Sequence, residues 1–585
     1  MTSLVPTGKR ELVDFAMTTV EQCRVSAGQR AAECRRMNAI AETGRYDGSK
    51  ALINMMNAHL ERSAAHLFSP VELKFNIDFE NKYQKFEMER AAVAGNILTR
   101  HWERANVDIL FGCGVFESLK YGWCGMKQWP QTQGPEGRDQ KITYHEKLVM
   151  PWQFGVYNEA ENDINAQHAL CETTLVTMPQ VWRRICFLPG AEKLFERIRA
   201  HAQTGASMSE MSNTFHQVLS TSQLNTGLSG ATSPMPGGIV QLGNEPNFSM
   251  MGPQVSAPVV QMHEIWVQDG KDYTTILLVE PDIIISPLII GESAIQTSNL
   301  LIQNSGLQPY RTIQPNEVTN WFWGRGELVD LIEPQSLLSV MCEDSKRLMG
   351  LQVDKLLGFT GENGMTDEMY ANARMAGYFN LTQGSDIKDL TPKFPPELQP
   401  FIQWLITKIN ELGSFPEIMQ GKGEPGVRAG THADTLLKTA SPTLRDRSLI
   451  VERQCAMHAD LTLEIRSAKD NHFYWTNGES AAKADETKFL LSQLPDDSRV
   501  TVDSHSSSPI FANENEQLIW AALKAGVVDD EYVLNNLNFP NREAAILAAK
   551  ERKIQKAQFT QKLLQDYPEV GEKVALKALT GGKGH

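Results

Sequence analysis

The stretch from Phe415 to Arg466 constrains this chain most. It reads Phe-Pro-Glu-Ile-Met-Gln-Gly-Lys-Gly-Glu-Pro-Gly-Val-Arg-Ala-Gly-Thr-His-Ala-Asp, then continues as helix-forming sequence almost without a break. A glycine-rich loop with Lys422 and Arg428 therefore leads directly into a long helix, with Pro442 inside it. Proline in a helix interior removes a hydrogen bond and kinks the axis. A basic loop at the end of a kinked helix suits two tasks: cradling a phosphate, or lining a passage through which a charged polymer moves.

The bulk numbers narrow the choice. With 585 residues, 41% hydrophobic and 22% charged, the chain is an ordered protein with room for two to four structural units. Its net charge of −14 argues against a surface wrapped around nucleic acid. A few local cations remain compatible with that total, and a weakly gripping DNA channel would benefit from it, because each neutralised phosphate adds affinity. The N-terminus lacks the apolar core of a secretory signal. The longest apolar run, Ile283 to Ile290, is interrupted by Ser286 and Pro287, far short of the ~20 residues of a membrane span. Eight scattered cysteines without a Cys-x-x-Cys pair predict neither structural zinc nor a disulfide framework.

Residues 10–63 read as helical, as do Asn76 to Ala105 and Val107 to Tyr121, the last stopped by glycines at Tyr121-Gly122-Trp123-Cys124-Gly125. From Lys141 the period changes to strands, including Phe154 to Tyr157 and His168 to Thr177. Met178-Pro179 opens a helix extended to about Ala202. Residues 204–257 form a long Ser/Thr/Gly-rich insertion. Val259 to Val279 is a hairpin turning at Asp269-Gly270. Helices follow from Glu327 to Leu357 and from Leu398 to Leu412, then the long helix, a strand at Arg499 to Val502, and a helical C-terminal region. The fold class is α+β, mainly helical.

Gly421-Lys422-Gly423-Glu424-Pro425-Gly426 matches Gly-x-Gly-x-x-Gly, but it follows a helix, and Pro425 removes an N–H that a pyrophosphate would need. No Gly-x4-Gly-Lys-Ser/Thr sequence occurs. His432 and Asp434 open the long helix, where Asp434 suits the positive helix end and Thr431 could cap it. His145, His168 and His263 lie in predicted strands without metal-site company and read as structural. No nucleophile elbow appears, and no metal or cofactor is expected. Lys422, Arg428, Lys438, Arg445 and Arg447 put cations on the loop and the helix after it.

This order of elements resembles the portal (head-to-tail connector) proteins of tailed bacteriophages. That family runs from a helical and sheet wing through a stem helix, a strand-rich clip and a second stem helix. A tunnel loop, a long kinked helix and a helical crown follow. Leu119 to Gly125 resembles the helix ending before the wing strands, and Val259 to Val267 the clip strand. Trp323-Gly324-Arg325-Gly326-Glu327 resembles the entry to the second stem helix, and Pro416 to Gly421 with Gly430 to Ala433 the tunnel loop and kinked helix. The resemblance implies a wing at 1–177, a first stem helix at 178–203, the insertion at 204–257, a clip at 258–324 and a second stem helix at 325–358. It then implies a wing return at 359–512, with a tunnel loop at about 415–430 and a kinked helix at 431–467, and a crown at 513–585.

Such proteins form rings of about twelve subunits, closed by heterologous interfaces around an axial hole. The resemblance implies a non-enzymatic virion protein, assembled in the host cytoplasm at a capsid vertex and without a membrane partner. Double-stranded DNA would pass through the ring during packaging and ejection. Its partners would be the terminase motor, tail adaptor proteins, and the major capsid or scaffold protein. Lys422, Arg428 and Lys438 become DNA-channel candidates. His263, Trp266, Asp269 and Lys271 become candidates for motor docking at the clip. Two other readings stay open: another virion structural protein such as a tail adaptor or internal core protein, and a nucleotide-binding enzyme using Gly421 to Gly426.

Overall fold

Three helices open the chain: α1 (Lys9–Cys23), α2 (Ala27–Thr43) and α3 (Met56–Leu67). The computed structural model describes most of residues 5–202, 258–295, 308–360, 386–413, 442–475 and 488–502, with scattered residues elsewhere. A short strand, β1 (Phe75–Asp78), precedes α4 (Lys85–Ala105) and α5 (Val107–Tyr121). The expected helix over Asn76 to Ala105 therefore starts later than its periodicity suggests. Residues Phe75 to Asp78 alternate buried and exposed because they pair, antiparallel, with a strand near residue 500.

The strands that follow are β2 (Cys124–Gln133), β3 (Lys141–Val149), β4 (Phe154–Val156) and β5 (Ala169–Thr177). Met178 to Ala202 holds two helices, α6 (Met178–Ile185) and α7 (Ala191–Ala200), rather than the single one expected. Gly190 between them has φ of +80°, left-handed backbone that a continuous helix cannot contain. Then come β6 (Val259–Asp269), β7 (Asp272–Val279), β8 (Ile283–Ser286), β9 (Leu288–Ile290), β10 (Ser293–Ile295) and β11 (Tyr310–Ile313). The predicted hairpin is present, with Gly270 at φ +75° in the turn.

After a 3-10 turn at Glu327–Asp330 the chain forms α8 (Ile332–Val353), the strand pair β12 (Leu357–Thr360) and β13 (Asp386–Asp389), and α9 (Leu398–Leu412). The last long helix, α10 (Pro442–Lys469), precedes the short strands β14 (Tyr474–Trp475), β15 (Lys488–Phe489) and β16 (Arg499–Val502). Residues 414–441, with the expected tunnel loop and the first part of the expected kinked helix, lie outside the described residues, as do 204–257 and nearly all of 513–585, and Pro442 is the first described residue of α10. The whole is mixed α+β. No helix among the described residues is long and apolar enough to cross a membrane.

Two antiparallel sheets organise the body, one ordered β11-β2-β3 and the other β4-β5-β6-β7-β8. On the larger sheet, Cys171, Ile265, Ile276 and Leu278 meet Leu12, Ala16 and Cys23 of α1. At one end of the opposite face, Val176, Val260, Met262 and Val279 meet Val181 and Ile185 of α6 and Ile198 of α7. The other end of that face packs Leu170 and Trp266 against Val149 and Tyr310 of the smaller sheet. Both faces are covered, which is why these strands read as nearly continuous apolar runs.

Between the sheets lies a buried ionic cluster. Lys127 Nζ on β2 donates to Glu172 Oε2 on β5 at 2.8 Å and to Glu264 Oε1 on β6 at 2.6 Å. Lys147 on β3 also donates to Glu172. The Tyr310 hydroxyl on β11 donates to Glu172 Oε2 at 2.8 Å, and Trp266 Nε1 donates to Glu264 Oε1 at 2.9 Å. Burial alone would raise the Glu172 carboxyl, but the two ammonium groups outweigh it and hold it at about 2. Burial, reinforced by the two carboxylates, pushes the Tyr310 hydroxyl well up, so it stays protonated and donating. Two cations and two anions leave the cluster neutral, the condition under which charges tolerate a dry site.

The α10 helix crosses this assembly. Leu444, Val451, Cys455, Ala459 and Leu463 enter the core formed by α3, α4 and α5, while Leu461 and Ile465 join the inter-sheet aromatics. His458 is 1% exposed and its backbone carbonyl, like the Thr462 hydroxyl, accepts from the Gln128 amide. Burial, with Arg311 and His101 nearby, pushes the His458 imidazole down to about 3.

Replacing Glu172 with Gln should cost about 3 kcal/mol in denaturant unfolding, the scale for breaking a buried pair. Loss below 1 kcal/mol would mean the cluster contributes little. Because the unfolded chain takes up a proton at His458 that the folded chain refuses, stability is complete above the ordinary imidazole value of 6.5 and falls as pH drops below it. Urea midpoints at pH 7.5 and 5.5 should show the decline, and His458→Leu should remove about 1.4 kcal/mol of the stability difference between those two pH values.

Candidate functional site

Two of the motifs singled out in the sequence, about 200 residues apart, meet at one place. α5 ends at Gly122 with φ +90°, and the loop before α8 contains Gly324 with φ +65°. These two glycines and Gly326 touch backbone to backbone. A Cβ on Gly122 would stand 3.0 Å from the Gly326 nitrogen, one on Gly324 would stand 2.6 Å from the Gly122 carbonyl, and one on Gly326 would stand 2.7 Å from the Lys120 carbonyl. No side chain fits there, so the Tyr121-Gly122 and Gly324-Arg325-Gly326 motifs are two halves of one junction.

Aromatic rings brace the junction. Trp123 stacks on Phe154 at 5.1 Å and meets the edge of Trp323 at 5.2 Å. The Arg30 guanidinium lies 3.7 Å over the Trp323 ring and pairs with Glu159, which also accepts from Trp323 Nε1 at 3.0 Å. Next in sequence, Glu327 is buried and forms the third arm. Its Oε1 takes Ser63 Oγ at 3.0 Å and Arg447 of α10 at 3.0 Å, with His59 Nε2 at 3.1 Å. The entry to α8 is thus tied to the helix that follows the basic loop.

The sequence-predicted site residues fall differently. Lys422, Arg428 and Lys438 lie outside the described residues, as do Lys271, His432 and Asp434. Arg445 is exposed at the start of α10, and Arg447 is the Glu327 partner rather than a free cation. His263 and Trp266 are 2% and 0% exposed. His263 sits between the Thr173 hydroxyl at 2.8 Å and Glu280 at 2.9 Å, and burial lowers its pKa. Both side chains are internal to the larger sheet, with no surface to offer a docking motor. Asp269 is half-buried beside the hairpin turn.

The residues overlooked in the sequence are Lys127, Glu172, Glu264 and Tyr310, together with the whole of β2. Its run Met126-Lys127-Gln128-Trp129-Pro130 mixes charge and apolar residues because it is the central strand of its sheet and carries the buried cluster. Among the described residues no three His, Cys, Asp or Glu side chains gather as a metal site. A scan of protein-family models and a search of curated proteins each return no match for this chain.

Gly122→Ala should destabilise the chain by several kcal/mol, combining left-handed strain with overpacking against backbone that has no freedom to yield. Gly190→Ala is the control: it carries a similar φ of +80° with open space around it. A thermal-melt comparison in which the two variants lose the same stability would remove the junction from its assigned role.

Proposed function

We propose that this chain is a phage portal subunit, one member of a ring at a capsid vertex through which double-stranded DNA is packaged and ejected. The observation that carries the reading is the excursion formed by α8, the β12–β13 pair and α9. The two helices pack against each other, with Leu338 and Cys342 sharing a core with Leu405 and Ile409. Gln352 at the end of α8 bonds the Pro392 carbonyl on the way back, at 2.6 Å. A helix, a strand pair and a returning helix directly precede the basic loop and α10. That is the portal order of stem, clip, stem, tunnel loop and long helix.

This assigns the parts differently from the division expected in the sequence. Strands β6–β8 share one sheet with β4–β5, and the proposal therefore groups residues 259–286 with the wing. In the proposal the first stem helix is α8, the clip is built on β12–β13, and the second stem helix is α9. Terminase and tail adaptor contacts then belong at the β12–β13 end, and His263 and Trp266 drop out of that role.

An exposed apolar side on the returning helix supports a ring. Phe401, Trp404 and Leu412 recur at helical spacing on α9 and are 37%, 51% and 56% exposed, and Phe401 stacks on Trp404 at 5.5 Å. Apolar patches of this kind mark interaction surfaces, and a heterologous contact repeated by rotation closes a ring.

Negative-stain microscopy of the purified chain should show rings with an axial hole wide enough for duplex DNA. Trp404→Glu should shift the population to monomers on native mass spectrometry. A wild-type chain that stays monomeric would sink the reading, and rings without a central channel would favour a tail adaptor. Replacing Lys422 and Arg428 together with Glu should leave rings intact while lowering the amount of DNA packaged in an in vitro reaction, with Lys438→Glu adding to the defect. Unchanged packaging would remove these cations from the channel wall.

A further inference from the structure

Two sides of α8 are taken. Leu338 and Cys342 join the core shared with α9. On another side Gln335 Nε2 donates to the Ile53 carbonyl at 2.8 Å, and Glu343 pairs with Arg45 at 2.7 Å. A third side lacks such cover: Leu337 and Val340, one helical turn apart, are 40% and 51% exposed. Met349 continues the exposure toward the β12–β13 end. The pattern repeats on α9, where Leu405 and Ile409 enter the core and Gly413 lies against the His59 ring, while Phe401, Trp404 and Leu412 stay outside.

The amount of apolar surface is that of an interface. Of the 22 exposed large apolar side chains among the described residues, eight lie between Leu337 and Leu412. At about half exposure and ~200 Å² apiece they leave on the order of 800 Å² in water. Divided between two neighbours that is about 400 Å² a side. At the usual ~60% apolar content this corresponds to roughly 700 Å² per partner, the size of a specific interface.

We propose that the two faces are halves of one contact between copies of this chain: the α9 face of each copy seats on the α8 face of the next. The proposal rests on the ring reading, since a ring uses two different faces of every subunit. Size sets which side projects and which receives. Bulky rings stand out from α9 at Phe401 and Trp404, whereas on α8 the short Val340, with half-buried Ser336 one turn before it, leaves room for them. Packing of two α9 faces on each other would set Trp404 against Trp404 and leave Leu337, Val340 and Met349 in water.

Analytical ultracentrifugation and native mass spectrometry of the purified full chain test it. Val340→Arg should raise the concentration needed for assembly at least tenfold, although it leaves the α9 face untouched. The smaller change Leu337→Ser should raise it severalfold, which keeps the test valid should Val340→Arg not fold. The decisive sample is an equal mixture of Val340→Arg and Trp404→Glu. Each variant keeps one intact face, so the mixture should form dimers with one copy of each and nothing larger. Assembly of both α8 variants at the wild-type concentration overturns the proposal, as does a mixture that stays monomeric. Rings that survive both α8 substitutions remove this pairing and leave the portal reading standing. Mixed dimers from a chain whose rings lack a central channel do the reverse.

Discussion

The two sheets are held in register by a salt cluster whose two carboxylates are buried. Lys127 reaches two strands of the opposite sheet at once, and Glu172 takes two ammonium groups and a phenol. A purely apolar contact between the sheets would tolerate sliding, because dispersion and burial are nearly indifferent to small shifts. Charges at 2.6–2.8 Å are not indifferent, since a displacement that breaks one pair leaves an uncompensated ion in a dry site. The aromatic layer of Trp123, Phe154, Trp266 and Tyr310 packs around the cluster, and α10 is fixed to the same strand through Gln128.

From that fixed body the chain sends out α8 and takes back α9. The glycine junction sets the point of departure, and the Glu327–Arg447 pair ties that point to α10. The segment between α9 and α10 is thus bracketed by two helices, each anchored in the large core through Ile409 on one side and Leu444 on the other.

Much of the local structure was legible in the sequence, and the reasons differ by element. The Asp269-Gly270 turn and the α9 boundaries follow from short-range signals: a glycine where φ is positive, and periodicity bounded by breakers. β1 was read as helix because its four residues abut a strongly amphipathic helix, and only its distant partner makes it a strand. β2 was missed because a buried lysine and glutamine break the apolar pattern of a central strand, and their partners lie in other elements. The site was less legible than the fold. His263 and Trp266 look like display residues in a strand, yet hydrogen bonds to Thr173, Glu280 and Glu264 satisfy them internally. The convergence of Gly122, Gly324 and Gly326 was invisible because no periodicity encodes contact between two turns.

The pairing of β1 with β16 bears on how the chain is made. Asn76 and Thr501 are neighbours although 425 residues separate them. Ribosomes add about 5–20 residues per second, so β1 waits roughly 20–90 s for its partner, with the apolar edges of Phe75 and Ile77 uncovered meanwhile. Closure of the large core is therefore a late event in synthesis. A chain truncated before Arg499 would lack the strand that seals α4 against α10, and nascent chains would depend on chaperone cover until that strand leaves the ribosome.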